Sequence, residues 1–545
     1  MDPTQPTHPH RRRRSTTGRI YSDSLASNMI ERTRREMFYR ACAQGFPYSR
    51  QLTAHVSCVN YLVFSRKGGR WLASAGDDFR ILLWDFNQED VRSPSGCYSG
   101  PAGNVLSLDF SASNQYLISG GADNLVLRYD VSRLVSPGVQ WAPERPLPAL
   151  SVYRRHDDSV RSVSAHAHHE ELFFSAGEDG RIILHDARAD RRSPSAQGIY
   201  QHTTEFTGVQ AHPVMEHIFA TSDSHGQVCL RDTRMAFGPL STRSNEGIVQ
   251  TYVTKLSKRS LGYLSNPESS SITFDCDGGR LAVTMLHWYP TIYALSDPYP
   301  LAVCTGRNNP DGNPVPAGER TYSNSCTMKS GAFGGPGIGE DVLYAMGSDD
   351  FRGYVWEIPE TTILTSLRQE IPTEEWYTRE WHDVVGYCEG LSATRYVPSE
   401  ISTPLCRLNG HRSIVNAIAI HPSQLHIVTS GIERHIVLHS PMPSSPIAQD
   451  LSLTPLEVRK LPEYSPEDEM RFLGTLLGTH STLHGDAGQS DDESQTILLF
   501  DHILGEEGEG DIFELRQCKE NDDDEDDEDD HVLIDIMRSP SASPP

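Results

Sequence analysis

From Gln51 to about Ser440 the chain is written in short runs in which apolar and polar residues alternate, each run closed by Gly, Asp, Asn or Ser. Alternation at a spacing of two predicts strands with one buried face, and the closing residues predict tight turns. The runs come in sets of three that end on similar phrases. The first set is LTAHVSCVNYLVFSRKGGRWLASAGDDFRILLWDF, and the second is GNVLSLDFSASNQYLISGGADNLVLRYDV. The third set is RRHDDSVRSVSAHAHHEELFFSAGEDGRIILHDAR, and the fourth is FTGVQAHPVMEHIFATSDSHGQVCLRDTR. The first four sets end at Asp85, Asp130, Asp186 and Asp232, which gives a period of about 45–56 residues. Three less regular sets follow, in 269–295, 325–358 and 408–440, the first of them degenerate. A small sheet with two apolar faces cannot bury both alone, so such units must stack around a ring. The expectation is an all-β protein whose seven blades span 49–445, the fifth being the most irregular.

The period and the strand-end Asp are those of WD40 repeats. In the first set His55, Ser74, Asp78 and Trp84 fall where such repeats join imidazole, hydroxyl, carboxylate and indole in one buried hydrogen-bonded chain. A His/Ser/Asp trio also suggests a hydrolase. Partial recurrence favours the structural role, because His156, Ser175 and Asp179 repeat the spacing with His185 in place of Trp. His411, Thr429 and Glu433 repeat it again.

Four stretches read as insertions, at about 132–154, 239–270, 302–320 and 359–405. The last holds Trp376 and Trp381 in an acidic setting; on a loop they are recognition candidates, the alternative being packing on the propeller flank. Residues 1–48 form a basic segment with Arg11–Arg14 followed by an amphipathic helix over 22–41. Leu25, Met29, Met37 and Phe38 lie near one face of that helix, which either packs on the ring or docks into a partner. Residues 446–480 end in a predicted short helix with Met470, Phe472, Leu473 and Leu476. From 481 to 545 an acidic, disordered tail is expected. Asp501 onward carries 17 acidic and 3 basic residues, including the unbroken acidic run Asp522–Asp530.

Charge narrows the chemistry. The net charge is −25, opposite to what a nucleic-acid binder usually carries. The N-terminus lacks the apolar stretch of a secretory signal, no run of about 18 apolar residues suggests a membrane helix, and the ten cysteines form no CxxC pair. These features point to the nucleus and/or the cytoplasm. No cofactor motif is present, and the glycine-rich run Gly331–Gly339 reads as a loop joining two strands, not a phosphate cradle. His166, His168 and His169 read as a solvated turn, not a metal cluster. A catalytic role is therefore not expected.

Two consecutive sets end in Asp-x-Arg: Asp186 with Arg188, and Asp232 with Arg234. Arginines two residues past a strand end would sit side by side on one rim of the disk, presenting two planar donor forks. They resemble the WDxR motif of substrate receptors for cullin-4 RING ubiquitin ligases. The phrases NSCTMKS (324–330), GSDDFRGYVWEIP (347–359) and GHRSIVN (410–416), with EDEMRFLGTLL after the propeller, resemble the DDB- and cullin-4-associated factor family. The resemblance covers about residues 45–480. It implies a non-enzymatic receptor that holds a target protein and binds the damaged-DNA-binding adaptor through Asp186, Arg188, Asp232 and Arg234, with the 22–41 helix as a second docking element. His185 and Arg231 stand where the motif has Trp. A WD40 scaffold of a different nuclear or cytosolic complex, in chromatin or RNA processing, is the other reading.

Overall fold

In a computed structural model, described for residues 32–134, 146–189, 198–378, 384–462, 490–508 and 510–518, seven sheets of mainly antiparallel strands form a closed propeller. Their inner strands are Val59–Phe64, Val105–Phe110, Val160–Ala165, Phe206–Ala211, Ser269–Phe274, Ala332–Gly334 and Val415–Ile420. Each contacts the next, and the last contacts the first.

The physical reason is visible in the burial. Strand Trp71–Gly76 is buried at every position, on both faces. Seven apolar clusters each lie between two neighbouring blades, so every sheet face that the alternation left apolar meets the face of the next blade. Closure comes from the N-terminal side. Tyr48–Thr53 pairs with His435–Ser440, from Tyr48 opposite Ser440 to Thr53 opposite His435, and so completes the seventh blade. A ring closed this way leaves no long inner edge open to another chain.

The fifth blade is not the irregular one. It has four strands in order, Ser269–Phe274, Arg280–Met285, Thr291–Ala294 and Pro300–Cys304. Its sequence lost the signature residues but kept the alternation, and the alternation is what packs. The sixth blade departs most. Its inner strand is three residues long, and the 359–405 insertion interrupts it before its outer strand Cys406–Leu408. That inner strand lies inside the glycine run expected to be a loop. A Cβ on Gly334 would come within 2.6 Å of Ile420, and one on Gly331 within 2.1 Å of the Tyr344 hydroxyl, so here the glycines permit close packing.

The insertions at 239–270 and 359–405 meet in an additional sheet beside the fifth blade, which takes in Leu256–Lys258, Gln369–Ile371, Val385–Tyr387 and Arg395–Val397. Trp376 is fully buried there, which removes it as an exposed recognition residue; Trp381 lies outside the described residues. Tyr387 ties this sheet to the blade by accepting the Trp288 Nε1–H at 2.7 Å.

The tail expectation is corrected for part of its length. Ser490–Glu507 is a helix, Ile512–Leu515 a short one, and Gln517–Cys518 pairs with Leu264–Ser265 of the additional sheet. Ile497, Phe500, Leu504, Ile512 and Phe513 are buried. The mean charge of the tail suits disorder, but the apolar patch around Ile497–Leu504 packs on the ring. Arg11–Arg14, the 463–480 helix and the acidic run Asp522–Asp530 lie outside the described residues.

Candidate functional site

The His/Ser/Asp residues form the expected internal network. His55 Nδ1 lies 2.9 Å from Asp78 and its Nε2 2.8 Å from Ser74 Oγ, while Trp84 donates Nε1–H to the same hydroxyl at 3.0 Å. Burial opposes ionisation of Asp78. The His55 hydrogen bond and charge, with the Arg80 and Val56 backbone N–H groups, outweigh it and hold the carboxyl below its usual value. The third blade repeats the chain through His156, Asp179 and Ser175. The seventh repeats it through His411, Glu433 and Thr429. All are buried beneath the turns, where no substrate has access, so the arrangement braces each blade.

His411, Glu433 and His435 are the one described group close enough to hold a metal, with ligand atoms within 4.8 Å of one another. Both ring nitrogens of His411 are already engaged, by Glu433 and Thr429, so the group is the seventh blade's version of the network. His166, His168 and His169 are not a solvated turn throughout. His166 is buried and its Nε2 meets the Glu216 carbonyl at 2.8 Å, His168 meets the Val214 carbonyl, and His169 pairs with Glu216 at 2.6 Å. They join the third blade to the fourth.

The two Asp-x-Arg pairs are built alike. Asp186 ends strand Arg181–Asp186 and Asp232 ends strand Val228–Asp232, the third strands of neighbouring blades. Asp186 accepts the Arg188 backbone N–H at 3.0 Å and its Nε and Nη2, both at 2.9 Å. Asp232 accepts the Arg234 N–H at 2.8 Å, its Nε at 3.0 Å and its Nη2 at 2.6 Å, and caps the one-turn helix Thr233–Ala236. The Arg188 and Arg234 hydrogen bonds hold Asp186 and Asp232, respectively, below the usual carboxylate range. Both arginine side chains are 68% exposed. Each guanidinium is thus held by its own aspartate through Nε and Nη2 while most of the side chain stays in solvent.

The residues in place of Trp are not vacancies in the packing. His185 is fully buried, bonds Ser175 Oγ through Nε2 at 2.8 Å and stacks on Phe173. Burial pushes its pKa well below the usual value for histidine. Arg231 donates to Thr221 Oγ1 at 3.0 Å and to the Glu246 carbonyl at 2.6 Å, and lies over the Tyr200 ring. The hydroxyl that Trp84 serves in the first blade is served here by imidazole and guanidinium. The first two blades have no arginine two residues past the strand-end Asp. Asp85 is held by Arg70 from its own sheet, and Arg128, beside the second strand end, is buried over Tyr116 and paired with Glu171 at 2.8 Å.

Sequence patterns did not disclose which end of the ring the flanking segments use. Asp186 and Asp232 end third strands, so they lie at the end where first strands turn into second strands. The N-terminal helix, residues 32–42, reaches that same end across the ring. Its Phe38 and Cys42, with Phe46, pack against Ile338, Val342 and Leu425 of the first-to-second-strand turns, and Arg35 pairs with Glu340 at 2.6 Å. Met37, expected on the apolar face, is 67% exposed, and residues 22–31 lie outside the described part.

The WD domain, G-beta repeat family matches residues 47–85, 92–130, 148–186 and 402–440. DDB1- and CUL4-associated factor 5 from Mus musculus and from Homo sapiens are each 28% identical over 495 residues, 90% of this chain and 43% of those proteins. Protein ALTERED SEED GERMINATION 2 from Arabidopsis thaliana is 24% identical over 169 residues, 31% of this chain and 22% of that protein. The chain spans less than half the length of the first two relatives. It carries WD40 repeats and is similar, over 90% of its length, to a DDB1- and CUL4-associated factor.

Proposed function

We propose that this propeller is a substrate-recognition subunit of a cullin-4 ubiquitin ligase, bound to the damaged-DNA-binding adaptor through Arg188 and Arg234 and holding a target protein. The observation that carries this reading is the pair of exposed guanidinium forks, aimed by Asp186 and Asp232 on adjacent blades. A planar fork fixed in advance loses little freedom when it meets carboxylate or carbonyl acceptors. The likeness to DDB1- and CUL4-associated factor 5 supports it, as does the placement of the 32–42 helix at the same end of the ring.

The proposed mechanism is positioning. A target held at one end of a rigid ring, with the adaptor at the other, is presented to a ubiquitin-charged enzyme at high effective concentration; the propeller contributes no bond-making residue. On this reading the protein works in the nucleus and/or the cytoplasm and needs no cofactor, nucleic acid or membrane.

The test is co-purification of the adaptor and cullin-4 with the full chain. Arg188→Ala combined with Arg234→Ala lowers recovery at least about tenfold, the factor given by 1.4 kcal/mol of lost binding. Lysines restore it only in part. Arg133→Ala, next to the second strand end, serves as the exposed control, since Arg128 is buried. Wild-type recovery from a folded double variant assigns the propeller to another complex.

A further inference from the structure

The other end of the ring is already partly occupied. Helix Ser490–Glu507 buries Ile497, Phe500 and Leu504 in one apolar cluster with Cys58, Phe351, Ile414 and Ile432. Cys58 and Ile414 immediately precede first strands, and Phe351 and Ile432 lie in turns between second and third strands. Those positions define the end of the blades opposite Asp186 and Asp232.

The charges at this end are complementary to the helix. Arg459 grips Asp501 with both Nη atoms, at 2.7 and 2.6 Å, and Asp501 is 1% exposed. The Arg434 backbone N–H reaches Glu493 at 3.1 Å, and its Nε lies 3.4 Å from the same carboxylate. Arg459 and Arg320 both lie over the Phe351 ring, at 4.9 and 4.5 Å, so the floor of the groove is a ring between two guanidinium groups. The helix therefore presents apolar residues at i, i+3 and i+7, a carboxylate at i+4 and another at i−4, all on one face.

Among the described residues, part of this end is left uncovered by the helix. Val56, Phe79 and Met328, on loops of the same end, are 50%, 42% and 43% exposed. Phe79 holds φ +58°, the left-handed conformation that Phe351 adopts at +72° on the equivalent turn of the sixth blade.

We propose that this end of the propeller receives an acidic amphipathic helix of a client protein, and that residues 490–518 fill the groove in cis until the client displaces them. That the client is a ubiquitylation target rests on the function proposed above; the groove and its occupant do not. The covalent link through 463–489 makes the cis contact intramolecular, so a client competes against a high local concentration.

The probe is a fluorescent peptide of residues 490–518, read by anisotropy against the full chain. Opening the groove with Ile497→Ser and Phe500→Ser in the full chain raises affinity for the peptide at least tenfold over wild type. Adding Arg459→Glu to the opened chain removes that gain, and an Asp501→Arg peptide recovers it on the Arg459→Glu chain. Asp501→Arg alone, in the full chain, opens the groove without touching the apolar cluster and supplies a second opened variant if the first unfolds. Equal affinity of wild-type and both opened chains overturns the proposal, as does capture that is indifferent to Arg459. Adaptor recovery stays at wild-type level in every opened variant; its loss on Arg188→Ala/Arg234→Ala reports separately on the ligase reading.

Discussion

Arg231 and Arg234 stand three residues apart at one strand end and do opposite work. Arg231 is 2% exposed and serves Thr221, the Glu246 carbonyl and the Tyr200 ring, while the Arg234 side chain is 68% exposed and, among the described residues, bonds its aspartate alone. Removing Arg231 strands the buried Thr221 hydroxyl, at about 1–3 kcal/mol, and loses the guanidinium packed over the Tyr200 ring. Arg231→Leu is expected to lower the denaturant midpoint by the equivalent of about 3 kcal/mol. Arg234→Ala lowers the midpoint by less, because Asp232 keeps the backbone N–H of residue 234, and acts mainly on adaptor recovery. Equal destabilisation by the two would show that the rim arginine belongs to the fold.

Ser74 is the hub of the first blade, joined to His55 and Trp84. Ser74→Ala leaves two buried ring nitrogens without a partner and costs about 2–4 kcal/mol. Ser74→Thr costs far less, because Thr429 fills the same role in the seventh blade between His411 and His439. Thermal melts of the two variants decide this. Asp78, held below its usual value, contributes stability that is present above the ordinary carboxylate pKa and is lost as pH falls through the lowered one.

The fourth blade carries a buried acid at the end of its second strand, two places earlier than Asp78 in the first blade. Asp223 accepts the Gln227 N–H at 2.8 Å, and burial raises its carboxyl to about 6. The sign is opposite to that of Asp78. A raised folded value means stability that is full below the unfolded pKa, near 3.9, and is lost as pH rises through about 6. Asp223→Asn keeps an acceptor for Gln227 and carries no charge. Its melting temperature is expected to exceed that of wild type at pH 7 and to lose the advantage near pH 4. A constant difference between the two proteins across that window would exclude the titration.

Truncation separates the two parts of the C-terminal region. Ending the chain after Glu520 removes the run Asp522–Asp530 and leaves the melting temperature nearly unchanged. Ending it at 489 exposes the cluster around Phe351 and Ile414 and removes the strand pairing with Leu264–Ser265, and lowers the melting temperature by several degrees. Burial of an apolar side chain is worth about 1.5–3 kcal/mol before the cost of ordering the segment is subtracted, so the loss is moderate. Identical melts of the two truncations would place 490–518 off the ring.

By itself the sequence determined what depends on neighbours along the chain. The short apolar runs WLASAG and ILLWD and the turns in GDDFR specified strands and hairpins, and their recurrence required stacking, because neither face of such a sheet is polar. The spacing of His55, Ser74 and Asp78 is local to one blade, so that network was legible too. Tertiary structure alone decided contacts between segments far apart in sequence. The seventh blade is closed by Tyr48–Thr53, nearly 400 residues from its partner strand. His185 and Arg231 looked like losses of Trp in one dimension and prove to be substitutions when the hydroxyl each serves is seen. The tail was misread for the same reason. Its mean charge suits disorder, but Ile497, Phe500 and Leu504 are brought onto one face by a helix, and that helix is stable only because Arg459 and the ring's apolar floor lie beneath it.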